Sequence, residues 1–490
     1  MVFSSVIFLF YFLPLVLGVA LLVQHWLNRA AGRGIALEIS NAWLFLASIA
    51  FYAWGEVRLV WILGLSGLLS FVGGLLVERF QGRPRLMVLT GVVAANLALL
   101  AWFKYAPLAA DLLAWLNHLV GRPPTPDPTW SRVALPLGIS FFTFHGLSYV
   151  VDVYRRKIAA TRRPLDFACY FTLFPQLVAG PIVRFSEVAE FFERRVVAFE
   201  DVADGARRFI IGLGKKVLIA NQVAVLADAA FALPAVDVSP ASAWLGTAAY
   251  ALQIYFDFSG YSDMALGLGR MLGFKFPENF NHPYVATSVR DFWRRWHMTL
   301  SRFFRDYLYI PLGGNRAGAP RTALNLLLVF ALCGLWHGAS WNFLFWGLFH
   351  GAFLALERLF GTSLDRPTAW VRTLGRIYTL AVVLFAWVLF RCDTWPQAVS
   401  VWNAMLGRGA ATGITMLPWK ALAPDVMLAL AAGVLFSMPI SSWVRERCAR
   451  ISIGSTLLPP VATMAALMVL ALSLLAVGAG SHNPFIYYRF

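Results

Sequence analysis

The chain has 490 residues, of which 59% are hydrophobic and 13% charged, with a formal net charge of +16. Ordinary soluble domains carry about 25% charged residues, so this composition, with a mean hydropathy of +0.66, excludes a water-soluble globular protein and predicts an all-α polytopic membrane protein. The positive charge sits in short loops, among them Arg155, Arg156 and Lys157, Arg162 and Arg163, Arg194 and Arg195, and Lys215 and Lys216. That distribution suits cytoplasmic loops facing anionic membrane lipid and implies no nucleic-acid partner.

The first apolar run, MVFSSVIFLFYFLPLVLGVALLV, has neither a basic leading region nor a small-residue cleavage site, so it reads as a retained helix. Arg29 and Arg33 follow it and no Lys or Arg precedes it, which places the N-terminus outside and the first loop in the cytoplasm. Further spans are predicted near 39–54, 59–77, 86–103, 133–151, 167–183, 206–227, 241–258, 322–338, 340–357, 373–390, 421–437 and 460–478, the first being 3–24. Several are short or broken by Gly and Pro, as re-entrant helices lining a cavity would be. No repeat and no low-complexity linker divides the sequence, so residues 1–490 read as a single membrane domain. Cys169, Cys333, Cys392 and Cys448 are scattered without a CxxC pair, which gives no metal site and no disulfide framework; they read as buried or lipid-facing thiols.

The least apolar long stretch, 259–321, is where function is expected to concentrate. At its entrance Tyr255-Phe-Asp-Phe-Ser-Gly-Tyr-Ser-Asp263 sets Asp257 and Asp263 around a Ser-Gly turn. Carboxylates in such surroundings must be paired, so they are expected to give structural support, with partners among the arginines that follow. Thr287–Tyr307 then reads as an amphipathic helix. Val289, Phe292, Trp293, Trp296, Leu300, Phe303 and Phe304 form one face, and Arg290, Arg294, His297 and Ser301 stack on the other. Such a face either lies on anionic lipid or binds an anionic substrate such as a nucleotide pyrophosphate. His297 is poorly explained by lipid adhesion, and neighbouring arginines should keep it neutral. Beyond it, Tyr309-Ile-Pro-Leu-Gly-Gly-Asn-Arg316 is a turn bearing Asn315, whose glycines admit a phosphate or carbonyl to the backbone.

His337 closes the apolar run 322–336, and His350 the next one. An ionisable side chain at membrane depth is a functional-site hypothesis by default. On pattern alone a core imidazole bonded to a backbone carbonyl accounts for His337 equally well. For His350 and His145 that structural reading is preferred.

Four motifs in order, Phe174-Pro-Gln-Leu-Val-Ala-Gly-Pro-Ile-Val-Arg184, YFDFSGYSD, DFWRRWHMTLSRFFRDYLYIPLGGNR and GLWHGA, make the sequence resemble the membrane-bound O-acyltransferases (MBOAT), in their bacterial polysaccharide branch. The resemblance spans nearly the whole chain, from MVFSS to PFIYYRF. It implies a bundle of tilted helices around a tunnel or funnel, with a catalytic core near 170–355. His337 of the WHG motif would be catalytic and His297 of the RRWH motif a second active-site residue, with Arg290, Arg294, Ser301, Asn315 and Trp336 binding substrate. It further implies a cytoplasmic thioester donor, acetyl-CoA or an acyl carrier protein, and no bound cofactor or metal. The acyl group would O-acetylate an exported polysaccharide such as alginate or cellulose, through a periplasmic SGNH-type acetyltransferase or esterase-like partner, at the bacterial inner membrane. A neutral imidazole that takes the acceptor hydroxyl's proton contributes about 10² to 10⁴ in rate, and the apolar residues around His337, Leu335, Trp336 and Trp341, would exclude competing water. With no GxSxG elbow beside the histidines, direct transfer is favoured over an acyl-serine on this chain. A proton-coupled secondary transporter and a non-enzymatic subunit of an export machine are the alternatives. The first requires inverted repeats that are not visible, and the second gives no reason for the RRWH and WHG pair.

Overall fold

The computed structural model describes residues 2–27, 33–122, 128–131, 133–316, 318–360, 368–409, 417, 419–449 and 454–480, and among them every regular element is a helix. Arg29, His482 and the terminal PFIYYRF lie outside the described residues. Among the described residues eight helices have the length and composition to cross a membrane: Phe8–Trp26, Gly34–Gly55, Val60–Arg79, Gly82–Leu119, Phe199–Phe231, Gly318–His337, Ala369–Arg391 and Pro459–Gly478. They coincide with eight of the thirteen expected spans. The stretch 167–183 is not a crossing, because the chain leaves helix at Leu173 and restarts at Phe174-Pro175 for four residues. Near 133–151 the helix has 16 residues, and near 421–437 it has 13.

Two compact units compose the chain: 1–205 with 265–277 and 338–340, and 206–264 with 278–337 and 341–490. The first contains α1 (Leu13–Leu22), α2 (Arg33–Gly55), α3 (Val60–Arg79), α4 (Gly82–Leu119), α5 (Ile139–Tyr154), α6 (Pro164–Thr172), α7 (Phe174–Leu177) and α8 (Phe185–Glu193). Small residues set its close packing: Cβ atoms added at Gly73 and Gly74 would strike Val92 and Tyr149. Ser66 donates to Asn96 Oδ1 at 2.6 Å, joining α3 to α4 by a polar bond in an apolar interior. His145 is fully buried in α5 and touches Tyr170.

The second unit is built from most of α9 (Phe199–Gly214), then α10 (Asn221–Phe231), most of α11 (Pro240–Met271), α12 (Val289–Arg295), α13 (Met298–Phe304), α14 (Gly318–His337), α15 (Trp341–Leu359), α16 (Ala369–Arg391), α17 (Trp395–Met405), α18 (Pro424–Phe436), α19 (Ile440–Ala449) and α20 (Gly454–Gly478). α11 is buried almost all round and carries Gln253, Asp257, Ser259, Ser262 and Asp263 inside the protein. Ser259-Gly260 is therefore mid-helix and not a turn. Gly260 is where α11 meets Gly212 of α9 backbone to backbone, since a Cβ on either would strike the other's carbonyl oxygen. α14 and α15 pack the same way. A Cβ at Gly334 would collide with the Phe343 carbonyl, and one at Gly347 with the Phe330 carbonyl. Helix association in lipid rests on such close packing of small residues, and here it fixes the helices that carry His337 and His350.

Candidate functional site

The expected basic helix is two short helices. α12 starts at Ser288, whose hydroxyl accepts from Asp291 N at 3.0 Å, while the Glu357 carboxylate of α15 accepts from Val289 N at 2.6 Å and Arg290 N at 3.0 Å. It stops at Trp296, and His297 takes a left-handed conformation, φ 42° and ψ 55°, before α13 begins. A non-glycine residue there is uncommon and is held by its surroundings. The break separates the presumed polar face. Arg290, Arg294 and Ser301 stay together, whereas His297 turns inward and is fully buried.

Asn279 holds His297 in place. Its Oδ1 accepts from Thr299 N at 3.3 Å and Thr299 Oγ1 at 2.9 Å, and lies 3.1 Å from His297 Nδ1. Because a backbone N–H fixes that amide atom as an acceptor, Nδ1 is the protonated nitrogen and Nε2 of the neutral ring carries a lone pair. Nε2 is buried and has no hydrogen-bond partner among the described residues. Burial pushes the imidazole down to about 3, so it stays neutral; the cause is desolvation, not the neighbouring arginines. The ring stands edge-on to Phe258, centroids 4.7 Å apart, and 6.2 Å from Trp336.

His337 ends α14 and is buried among rings: Trp336 at 4.8 Å, Trp346 at 4.9 Å and Phe390 at 5.4 Å between centroids. Trp336 thus contacts both imidazoles. His350 is also fully buried, and the Trp293 indole N–H donates to its Nδ1 at 3.3 Å, which leaves the proton on Nε2, the opposite tautomer to His297.

Beside these rings lies a cavity of about 310 Å³. Arg290, Arg294, Arg305 and Arg358 line it, with Glu357, and Leu300, Val329, Phe330, Cys333 and Leu354 supply its apolar lining. Ser301 and Asn315 also line it; Ser301 donates to the Trp293 carbonyl at 2.9 Å, and Asn315 accepts from Tyr309 at 2.6 Å. Four of the five expected substrate-binding residues therefore share one cavity, and Trp336 packs between the histidines instead. Neither His297 nor His337 lines the cavity. Cys333 does, and it stands one helical turn before His337 on the same face of α14.

Both expected acids are paired, but with cations that precede them. Lys216 Nζ lies 2.6 Å from Asp257 Oδ1, the two side chains 2% and 1% exposed. Asp263 receives Lys215 at 2.6 Å and Arg208 at 2.7 Å, and Arg208 reaches on to Glu278. The Gly212–Gly260 crossing brings these charges within reach. Sequence reading missed Asn279, Lys216, Glu357 and Trp346; the adjacent Lys215-Lys216 pair inside an apolar run was the available signal for the second.

An all-helical polytopic membrane protein with buried polar and imidazole groups in its interior is the class that this fold and site define. The chain belongs to the MBOAT family, membrane-bound O-acyltransferases, whose model matches residues 46–394. It is 38% identical to a probable alginate O-acetylase of Azotobacter vinelandii and 36% identical to that of Pseudomonas aeruginosa, each over the full length of both chains. It is 33% identical to a peptidoglycan O-acetyltransferase of Helicobacter pylori, over 100% of this chain and 98% of that one. The protein is a multi-pass membrane O-acyltransferase.

Proposed function

We propose that the protein lies in the bacterial inner membrane and takes an acetyl group from a cytoplasmic thioester, acetyl-CoA or an acyl-carrier thioester, for O-acetylation of an exported polysaccharide. The cavity is the observation that carries this reading. Its arginines suit donor phosphates, which guanidinium groups bind in bidentate fashion, and its apolar wall suits the uncharged arm and thioester. The lining includes Cys333, one turn from His337.

In this reading His337 is the general base. It removes the proton of an acceptor hydroxyl as the oxygen adds to the thioester carbonyl, and collapse of the adduct expels the thiolate, which takes up that proton. His297 Nε2, with its lone pair, serves as a second proton acceptor. The acceptor hydroxyl belongs to a periplasmic SGNH-type or esterase-like partner, and a hydroxyl of the polymer then attacks that acetyl ester, giving the acetylated polymer and returning the partner's hydroxyl. A carboxylate-driven transporter is disfavoured by Asp257 and Asp263, each held in an ion pair.

The test is His337→Ala in cells that make the acetylated polymer. Protein abundance should stay near wild type while acetylation falls by at least about 10², the scale of general-base catalysis. Acetylation at the wild-type level would refute the catalytic role.

A further inference from the structure

A second cavity, of about 490 Å³, lies in the first unit, far along the sequence from the residues described above. Glu78, Phe80, Arg85, Arg156, Lys157 and Ile158 line it. The Arg85 guanidinium donates from Nη2 to the carbonyls of Val153 at 3.0 Å and Tyr154 at 2.7 Å, and lies 5.0 Å over the Tyr154 ring. It is thereby fixed at the C-terminal end of α5, while its buried Nε has no partner among the described residues. Arg156, the exposed residue that follows α5, is in the left-handed region at φ 58°. Lys157 is paired with Asp152 at 3.2 Å, and the Glu78 carboxylate accepts from Ala160 N at 2.8 Å.

The positive-inside rule puts this end of α3, α4 and α5 at the cytoplasmic surface, where Arg79, Arg83, Arg85 and Arg155 to Lys157 collect. We propose that the cavity binds the phosphate of an anionic phospholipid headgroup, held by Arg85 and Arg156, with Phe80 and Ile158 against the start of the acyl chains. A guanidinium fixed on two backbone carbonyls, a second, exposed guanidinium with no ion-pair partner among the described residues, and apolar residues on the same wall distinguish this place from the diffuse charge of the other loops. A lipid source is favoured over soluble phosphate because the cavity lies at helix ends that meet the headgroup layer and is partly apolar.

The experiment uses the full-length protein purified in a neutral detergent. Thermal unfolding is followed while phosphatidylglycerol, phosphatidylcholine or inorganic phosphate alone is titrated. Phosphatidylglycerol should raise the melting temperature saturably, phosphatidylcholine less so, and inorganic phosphate not at all. Arg156→Gly removes the cation and relieves the left-handed backbone, so its lipid-free melting temperature should not fall while its apparent phosphatidylglycerol affinity drops about fivefold, the scale of one surface cation near anionic lipid. Glu78→Gln keeps the acceptor for Ala160 N but removes the carboxylate that lines the cavity, and should bind phosphatidylglycerol more tightly. Unchanged affinity in both variants overturns the site, and an equal response to inorganic phosphate overturns the lipid assignment.

Discussion

The Lys216–Asp257 pair offers the sharpest check on whether the acidic motif supports the fold or takes part in the chemistry. The two groups are 2.6 Å apart and 98% or more buried, so solvent cannot take the place of a lost partner. Removing one member takes the ion-pair partner from a buried charge and should cost about 3–5 kcal/mol, whereas replacing both with apolar residues of similar volume is near neutral or stabilising. Asp257→Asn and Lys216→Met should therefore each lower unfolding stability by that amount in detergent, and Lys216→Met with Asp257→Leu should recover most of it. Acyl transfer should follow stability: weak in the singles and largely restored in the double variant at a temperature where it is folded. Single variants that cost under about 1 kcal/mol, the range of an exposed pair, would refute the structural reasoning. A stable double variant without acyl transfer would give the pair a part in the chemistry.

Arg294→Gln should raise the donor KM more than it lowers kcat, and added salt should weaken donor binding in the wild type; an unchanged KM would return α12 to lipid anchoring. His297 lowers stability toward acid. Its buried ring stays neutral to about 3 while the unfolded ring takes a proton near pH 6.5, so the unfolded state binds more protons and stability falls as pH drops from about 6.5. His297→Gln, measured by denaturant unfolding in detergent between pH 4 and 8, should flatten that part of the profile by about one proton's slope. With the other three cysteines changed to alanine, Cys333 should react with a membrane-permeant maleimide and be protected by a non-hydrolysable acetyl-thioester analogue; labelling indifferent to the analogue would separate the cavity from the donor.

Composition and apolar run length revealed the all-helical membrane fold, because hydrocarbon leaves only a few ways to satisfy a backbone. Eight crossings were legible for the same reason. The other five expected spans were less so, since an apolar run of 13 to 20 residues is equally consistent with a short buried helix, and α11 is apolar largely because protein surrounds it. The break at His297 was not legible. The run from Val289 to Phe304 keeps helical periodicity throughout, and the left-handed turn depends on Asn279, eighteen residues upstream. Pairing of Asp257 was misjudged because nearness in sequence favoured the later arginines, whereas the Gly212–Gly260 crossing decides which cations are near. Arg290, Arg294, Ser301 and Asn315 were legible as a group because their motif is contiguous.

The cavity and the histidines are related through one helix face. Leu326, Val329, Phe330 and Cys333 line the cavity from α14 at spacings of three, one and three, and His337 comes four residues after the last. From Leu326 to His337 is eleven residues, about 16 Å of α-helix, so an extended arm lying along this stripe with its charged end among the arginines would bring its far end toward the imidazole. The missing piece is passage past Cys333. Gly334 cannot provide it by moving α15 away, because the contacts of Gly334 and Gly347 already hold the two backbones together. The same seam sets Trp346 against both His337 and His350, at 4.9 Å and 5.2 Å. The seam thus holds both rings in place, the fixed geometry that the general-base role proposed for His337 requires.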